Sequence, residues 1–277
     1  MMRQRLAGVV DESEAAAMVR IIMEEVFNYS AVDVMLREQV ELPPFASERL
    51  ETILSRLEHH EPIQYIFGTT RFHGHTLRVT PAVLIPRPET EHLVDMVVDD
   101  AGSREDLHVL DIGTGSGCIA VSLARALHFA HIDAIDISED ALTVARENAC
   151  RLKVKVNFAR ADALTLVPQP DRYDIIVSNP PYVGESEARD MERNVLDYEP
   201  REALFVPDDD LMRFYRPIIA YAAVALKRGG RLYLEINRRC GNDVARLLEA
   251  RGFVAVDITR DMNGNTRYAT AMRPIGE

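Results

Sequence analysis

At 277 residues, with 47% hydrophobic and 27% charged residues, the chain is composed like a folded protein that can bury a sizeable core in one large domain or two. Its net charge of −12 and sequence pI of about 5.2 exclude the basic field of a general nucleic-acid binder. Three cysteines without a Cys-x-x-Cys pair exclude a disulfide scaffold and a zinc cluster, and no apolar run approaches the roughly 20 residues of a membrane span.

The opening stretch MMRQRLAGVVDESEAAA has no long apolar core before its acidic residues, so no signal peptide is read and a soluble, cytoplasmic protein is expected. From about Asp11 to Tyr29, Met18, Ile21, Ile22 and Val26 recur at helical spacing. Pro43-Pro44 reads as a helix break. In SERLETILSRLEHH, Leu50, Ile53, Leu54 and Leu57 fall at i, i+3, i+4 and i+7, with Ser47 as the N-cap. Residues 1–62 therefore read as a small helical domain. Across 63–86, β-branched and aromatic residues punctuated by Gly68 and Gly74 predict a β-hairpin connector.

Beyond residue 86 the pattern alternates. HVLDIG, HIDAIDI, VNFARAD, YDIIVSN, GRLYLEI, FVAVDIT and TRYATAMR read as strands, and segments such as SGCIAVSLARAL and SEDALTVAREN as the helices between them. Such alternation predicts an α/β domain over 87–277, with a mostly parallel sheet covered by helices on both faces.

VLDIGTGSGCIAVSLA reads as a strand, a turn and a helix, with Gly113, Thr114, Gly115, Ser116 and Gly117 in the turn. Glycines let a ligand approach the backbone and allow positive φ, and the helix N-terminus that follows offers unpaired N–H groups. The Gly-x-Gly-x-Gly spacing is not the dinucleotide fingerprint, no Lys-Ser/Thr follows as in a P-loop, and Ser116 is not on a nucleophile elbow. The turn alone suits any nucleotide-like ligand. Asp136, 19 residues beyond Gly117, ends the next strand, where an acid can accept hydrogen bonds from both ribose hydroxyls of an adenosine. Asp162 ends the third strand and can accept from an adenine amino group, with the Ala163 backbone alongside. Each acid by itself reads equally well as a helix cap or a solvated loop charge.

The fourth strand delivers VSNPPYVG to the same edge. Two successive prolines remove two donors and force the strand to stop, which a turn explains as well as a site does. Together, DIGTGSG and NPPY resemble an S-adenosyl-L-methionine-dependent methyltransferase acting on a planar nitrogen. The resemblance implies that the cofactor meets Gly113 to Gly117, Asp136, Asp162, Ala163 and Asn179, and that Asn179, Pro180, Pro181 and Tyr182 carry the chemistry. The Asn179 side-chain oxygen and the Pro180 carbonyl would each accept one N–H of the substrate and stabilise the charge developing on its nitrogen. The prolines stiffen the segment, and Tyr182 offers a flat face to the planar substrate. Asn179 is an acceptor and positioner, with no strong base required.

The flanks narrow the substrate. EPIQYIFGTTRFHG, VLIPRPETEHLVD, AIDISEDALTVARENA, LDYEPREALF and DMNGNTRYA resemble the peptide chain release factor N(5)-glutamine methyltransferase family from about Glu61 to Arg273. That resemblance implies a seven-stranded sheet with one reversed strand near its end. It also implies methylation of the side-chain amide of the Gln in the Gly-Gly-Gln loop of class 1 peptide chain release factors, and so a role in translation termination. Residues 1–75 hold seven Arg, no Lys and twelve Asp or Glu, which suits a protein substrate; stable nucleic-acid binding and membrane association are not expected, and a monomer is. The helical domain at 1–62 is a candidate dock for the release factor. The rival readings are an amino-methyltransferase acting on a ribosomal-protein glutamine or a nucleic-acid base, and a cofactor-binding scaffold without catalysis, which the intact Asn179 to Tyr182 disfavours. Three features stay open: Arg87 to Glu91 line the cofactor pocket or merely start a helix, Glu199-Pro200 covers the site or is a plain turn, and the His73 and His75 pair has no third metal ligand nearby. Cys118 reads as a packing residue. Asn237 stands where the family commonly has Gly, and its tolerance of left-handed geometry would preserve a turn.

Overall fold

In the computed structural model, which describes residues 2–29, 32–33 and 44–276, Asp11 accepts the Glu14 amide at 2.8 Å and caps a long helix. Contacts divide the chain into two units, Met1–Gly68 with Glu192–Tyr198, and Thr69–Met191 with Glu199–Glu277. In the first unit lie α1 (Met2–Leu6), α2 (Glu12–Phe27), α3 (Pro44–Glu58), α4 (Ile63–Phe67) and, from its later stretch, α8 (Arg193–Tyr198). Leu6, Met18, Ile22, Leu50, Ile53, Leu54 and Leu57 are buried together, while Ile21 and Val26 pack at its margin. The apolar stripes expected of α2 and α3 thus form one core. Ser47 does not cap α3: the helix already starts at Pro44, whose missing N–H is no loss in a first turn. Pro43, the other half of the expected break, lies outside the described residues. The sequence SERLETILSRLEHH is therefore helical from before its first residue.

The sequence reading places a hairpin connector from residue 63, whereas residues 63–67 form one more helical turn, with Ile63 and Tyr65 buried and Gly68 closing it at φ 71°. The hairpin follows, as β1 (Thr69–Phe72) antiparallel to β2 (His75–Arg78). Its two-residue turn has positive φ at both His73 (47°) and Gly74 (75°), the geometry that matches the twist of the paired strands.

The second unit is built on a seven-stranded sheet of β3 (His108–Ile112), β4 (His131–Asp136), β5 (Asn157–Arg160), β6 (Tyr173–Ser178), β9 (Leu226–Glu235), β10 (Val254–Arg260) and β11 (Thr266–Met272), in the order β10-β11-β9-β6-β3-β4-β5. A two-residue pair, β7 (Val183–Gly184) with β8 (Phe205–Val206), lies apart from it. Pairs from β9 through β5 are parallel, and β11 runs antiparallel to both neighbours, so the one reversed strand is the last. The reversal follows from the short loop at 261–265, since a parallel return needs a long crossover.

The central strands β3 and β6 are apolar runs because helices cover both faces, whereas the edge strands β5 and β10 stay largely exposed. Val109, Ile175 and Val177 pack with α5 (Pro88–Ala101), α6 (Cys118–Ala126) and α7 (Glu139–Leu152). Leu110, Ile112, Ile176, Leu232 and Leu234 pack instead with α9 (Tyr215–Ala225) and α10 (Gly241–Ala250). Register then decides what meets at the carboxyl edge: Ile112 lies opposite Ile135 and Ser178, Asp136 opposite Arg160, and Ser178 opposite Leu234. Reversed β11 enters at that same edge, with Tyr268 opposite Glu235.

Candidate active site

The carboxyl edge borders a cavity of about 440 Å³. Of the residues singled out from sequence, Gly113, Thr114, Gly115, Ser116, Asp136, Asp162, Ala163, Asn179, Pro180 and Pro181 line it. Gly117 and Tyr182 do not.

The glycine turn is held by its neighbours. The amides of Gly113 and Thr114 both donate to the Ile135 carbonyl, at 2.9 and 3.0 Å, and the Gly115 amide donates to Asp136 Oδ2 at 2.8 Å. Gly113 (φ 76°) and Gly115 (φ 54°) have nothing within 4 Å of where a Cβ would sit, so their backbone is open to close approach. Gly117 answers to a different constraint: at φ 79°, an added Cβ would lie 3.0 Å from Ala145 Cβ, so this glycine lets α6 pack on α7. Asn148, on α7, ties the turn to the hairpin. Its Nδ2 donates to the Ser116 carbonyl at 2.9 Å and to the Arg78 carbonyl at 3.0 Å, while its Oδ1 accepts the Arg78 amide at 2.6 Å. No local pattern marks Asn148, which reads in sequence as an ordinary helix residue.

Acids cluster behind the turn. Asp111 is fully buried and accepts the Thr114 hydroxyl at 2.6 Å; burial, with Asp136 nearby, pushes its carboxyl up to about 7. Burial also raises Asp136 above the usual carboxylate range, although its two oxygens accept the Gly115 and Ser138 amides. Asp162 Oδ1 accepts the Leu164 amide at 2.8 Å, which fixes the turn carrying Ala163 along the cavity. Both acids thus brace their own loops while facing the cavity. Two carboxylates at successive strand tips, an approachable glycine backbone and apolar walls such as Ile135 and Ile119 fit an adenosine-bearing ligand.

Asn179 leaves β6 and donates from Nδ2 to Thr90 Oγ1 at 3.0 Å, and Thr90 Oγ1 in turn donates to Glu235 Oε2 at 2.8 Å. Asn179 Oδ1 and the Pro180 carbonyl have no hydrogen-bond partner among the described residues. The Tyr182 hydroxyl turns away from the cavity, donating to Glu235 Oε1 at 2.9 Å and accepting from Arg267 at 3.0 Å. Asn237 Nδ2 grips the Tyr182 carbonyl at 2.9 Å from the other side. Asn237 does not adopt left-handed geometry, so it acts through its side chain rather than by standing in for glycine. Glu235 and Arg267 are participants that sequence reasoning missed, while Thr90 falls inside the Arg87 to Glu91 stretch left open there and lines the cavity.

Both open readings along the rim resolve as combinations. Pro88 does start α5, yet Arg87 also lines the cavity and pairs with Glu199 Oε1 at 2.5 Å. Glu199 is buried and accepts the Ile85 amide on its other oxygen at 3.0 Å, so the segment that enters the wall at Pro200 is anchored. Burial pushes the Cys118 thiol up to about 12, which keeps it a neutral packing group. His73 Nε2 lies 3.0 Å from Asp95 Oδ1.

Residues 89–198 match the family described as the methyltransferase small domain, and residues 1–68 that described as the PrmC N-terminal domain. A release factor glutamine methyltransferase of Bacteroides thetaiotaomicron is 45% identical over 272 residues, spanning 98% of this chain and 97% of the relative. A protein of the same name from Flavobacterium psychrophilum is 42% identical, spanning 95% and 94%. A solved methyltransferase from Pyrococcus furiosus shares the fold, with a TM-score of 0.52 at 18% identity over 83% of this chain and 100% of that one.

Proposed function

The chain belongs to the release factor glutamine methyltransferase family, and from that premise we propose that Asn179 Oδ1 and the Pro180 carbonyl receive the two N–H groups of the acceptor glutamine. The protein is an S-adenosyl-L-methionine-dependent methyltransferase whose substrate is a release factor glutamine. The acceptor, on our reading, is the side-chain amide of the Gln in the Gly-Gly-Gln loop of class 1 factors. When bound, the cofactor supplies an electrophilic methyl group carried on a sulfonium.

This chain's residues do the rest. Asp136 would hold the ribose hydroxyls, Asp162 and Ala163 the adenine edge, and the Gly113 to Ser116 backbone the remainder of the cofactor. An amide nitrogen is a poor nucleophile because its lone pair is delocalised. Two fixed acceptors draw that nitrogen into line and stabilise the positive charge it gains. The proton then leaves from a very acidic group, so no strong base is needed. Pro180 and Pro181 keep the carbonyl out of any ladder.

One observation carries this reading: Asn179, with a free side-chain oxygen, lines the same cavity as the glycine turn, Asp136 and Asp162. The helical domain, set at residues 1–62 from sequence, docks part of the release factor, and the enzyme works as a cytoplasmic monomer without stable nucleic-acid binding. The net charge of −12 supports the last point, and no helix among the described residues is long and apolar enough to cross a membrane. Incubation with methyl-labelled cofactor tests the substrate. Label should enter a class 1 release factor and be lost when its Gly-Gly-Gln glutamine is replaced; label in DNA or a ribosomal protein instead would refute it.

A further inference from the structure

A single hydroxyl joins Asn179 to a buried carboxylate. Thr90 Oγ1 has one proton, so its bonds to Glu235 Oε2 (2.8 Å) and Asn179 Nδ2 (3.0 Å) are coupled in direction. Arg267 can only donate to the Tyr182 hydroxyl, which leaves that hydroxyl's proton for Glu235 Oε1. Ionised Glu235 therefore accepts on both oxygens. The Thr90 proton points at it, the Thr90 lone pair faces Asn179, and the NH2 end of the amide is drawn inward. Oδ1 is the end left for the cavity. A proton on Glu235 Oε2 would reverse this order, because Thr90 could then donate to Asn179 and the amide could turn its oxygen inward.

We propose that Glu235 is a positioning residue for methyl transfer: acting through Thr90, it sets which end of the Asn179 amide faces the cavity. This rests on the assignment of Asn179 Oδ1 as an acceptor for the substrate amide. A reversed amide would offer N–H donors to the substrate's own N–H groups, so both the alignment and the charge stabilisation would be lost.

Glu235 is faced by Thr90 and Glu89 on α5, Cys118 on α6, Tyr182, Tyr215 on α9, and Arg267 and Tyr268 on β11. Arg267 is the cation among them and Glu89 the like charge. Burial outweighs the hydrogen bonds from Thr90 and Tyr182 and holds the Glu235 carboxyl above its ordinary range. Its protonation is thereby moved toward the pH at which an enzyme can be assayed.

The test compares wild type with Glu235→Gln, Thr90→Val and Thr90→Ser as full chains. Turnover of release factor, cofactor Kd, melting temperature and the side-chain amide resonance of isotope-labelled Asn179 are followed against pH. On acidification, wild-type kcat should fall in step with a shift of the Asn179 resonance. Glu235→Gln should abolish that titration, and Glu235→Gln and Thr90→Val should each lose on the order of 10²-fold in kcat with cofactor Kd unchanged. Thr90→Ser should restore turnover. Wild-type kcat in a folded Thr90→Val or Glu235→Gln protein would overturn the proposal, as would an Asn179 resonance indifferent to pH. Should Glu235→Gln not fold, the Thr90 pair and the wild-type resonance decide. A wild type that leaves the release factor unlabelled refutes the substrate assignment instead, and the resonance still reads the relay.

Discussion

The Gly115 amide donates to Asp136 Oδ2 at 2.8 Å, so the acid at the tip of β4 holds the glycine turn at the end of β3 while it faces the cavity. Asp136→Ala removes a turn anchor and, on the proposed role, a ribose acceptor together. With charged hydrogen bonds worth about 1.5–3 kcal/mol each, the cofactor Kd should rise on the order of 10²-fold. Calorimetric titration with the cofactor checks this, and an unchanged Kd would remove the ribose role.

Gly117 separates packing from binding. An added Cβ there meets Ala145 Cβ at 3.0 Å and sits at φ 79°. Gly117→Ala should lose about 1–2 kcal/mol for the left-handed backbone and about 1–3 kcal/mol for overpacking. Thermal melting should show the loss. Because Gly117 does not line the cavity, the surviving folded protein should bind cofactor nearly as well as wild type.

Much of this architecture is legible in the chain. Strand-turn-helix spacing around Gly113 to Gly117 marks the turn, and the central apolar runs of β3 and β6 mark the sheet, because burial on both faces leaves no polar alternation to misread. Local boundaries are less legible. Residues 63–67 carry β-branched and aromatic side chains yet close a helical turn, since burial of Ile63 and Tyr65 overrides propensity over so short a stretch. The pairing behind Asn179 leaves no local trace, although the Arg87 to Glu91 stretch that holds Thr90 stood out in sequence. Thr90 resembles any polar residue of a first helical turn, Glu235 any acid at a strand end, and they are joined across 145 positions of sequence. The packing of α5 on β9 brings them together and the reversal of β11 adds Arg267, and no short motif encodes that.

Tyr182 offers a test between stacking and bracing. Sequence suggests a flat face for the substrate, whereas its hydroxyl is tied to Glu235 and Arg267 and its ring does not line the cavity. Tyr182→Phe keeps the ring and leaves Glu235 Oε1 without this donor. Stability should drop by about 1–3 kcal/mol in chemical denaturation, with a matching loss in kcat. Full activity in Tyr182→Phe would favour stacking.

Asp111 predicts a pH dependence of stability. Its folded value of about 7 lies above the ordinary carboxylate value. Between about pH 4 and pH 7 the folded chain therefore keeps a proton that the unfolded chain has released. Stability should fall as pH rises through that window, and the contribution of this group is fully present below it. Asp111→Asn still accepts from Thr114 but cannot ionise, so its denaturation midpoint should vary less with pH there. Identical slopes for the two proteins would show that Asp111 does not hold the raised value.

The proposed role of Asn179 is tested most directly by Asn179→Ala assayed with methyl-labelled cofactor and release factor, with cofactor Kd measured on the same sample. Loss of an acceptor preorganised for transition-state charge should lower kcat on the order of 10²–10³-fold, with the Kd little changed. Turnover near wild type, or a loss of cofactor binding large enough to explain the loss of rate, would contradict the account.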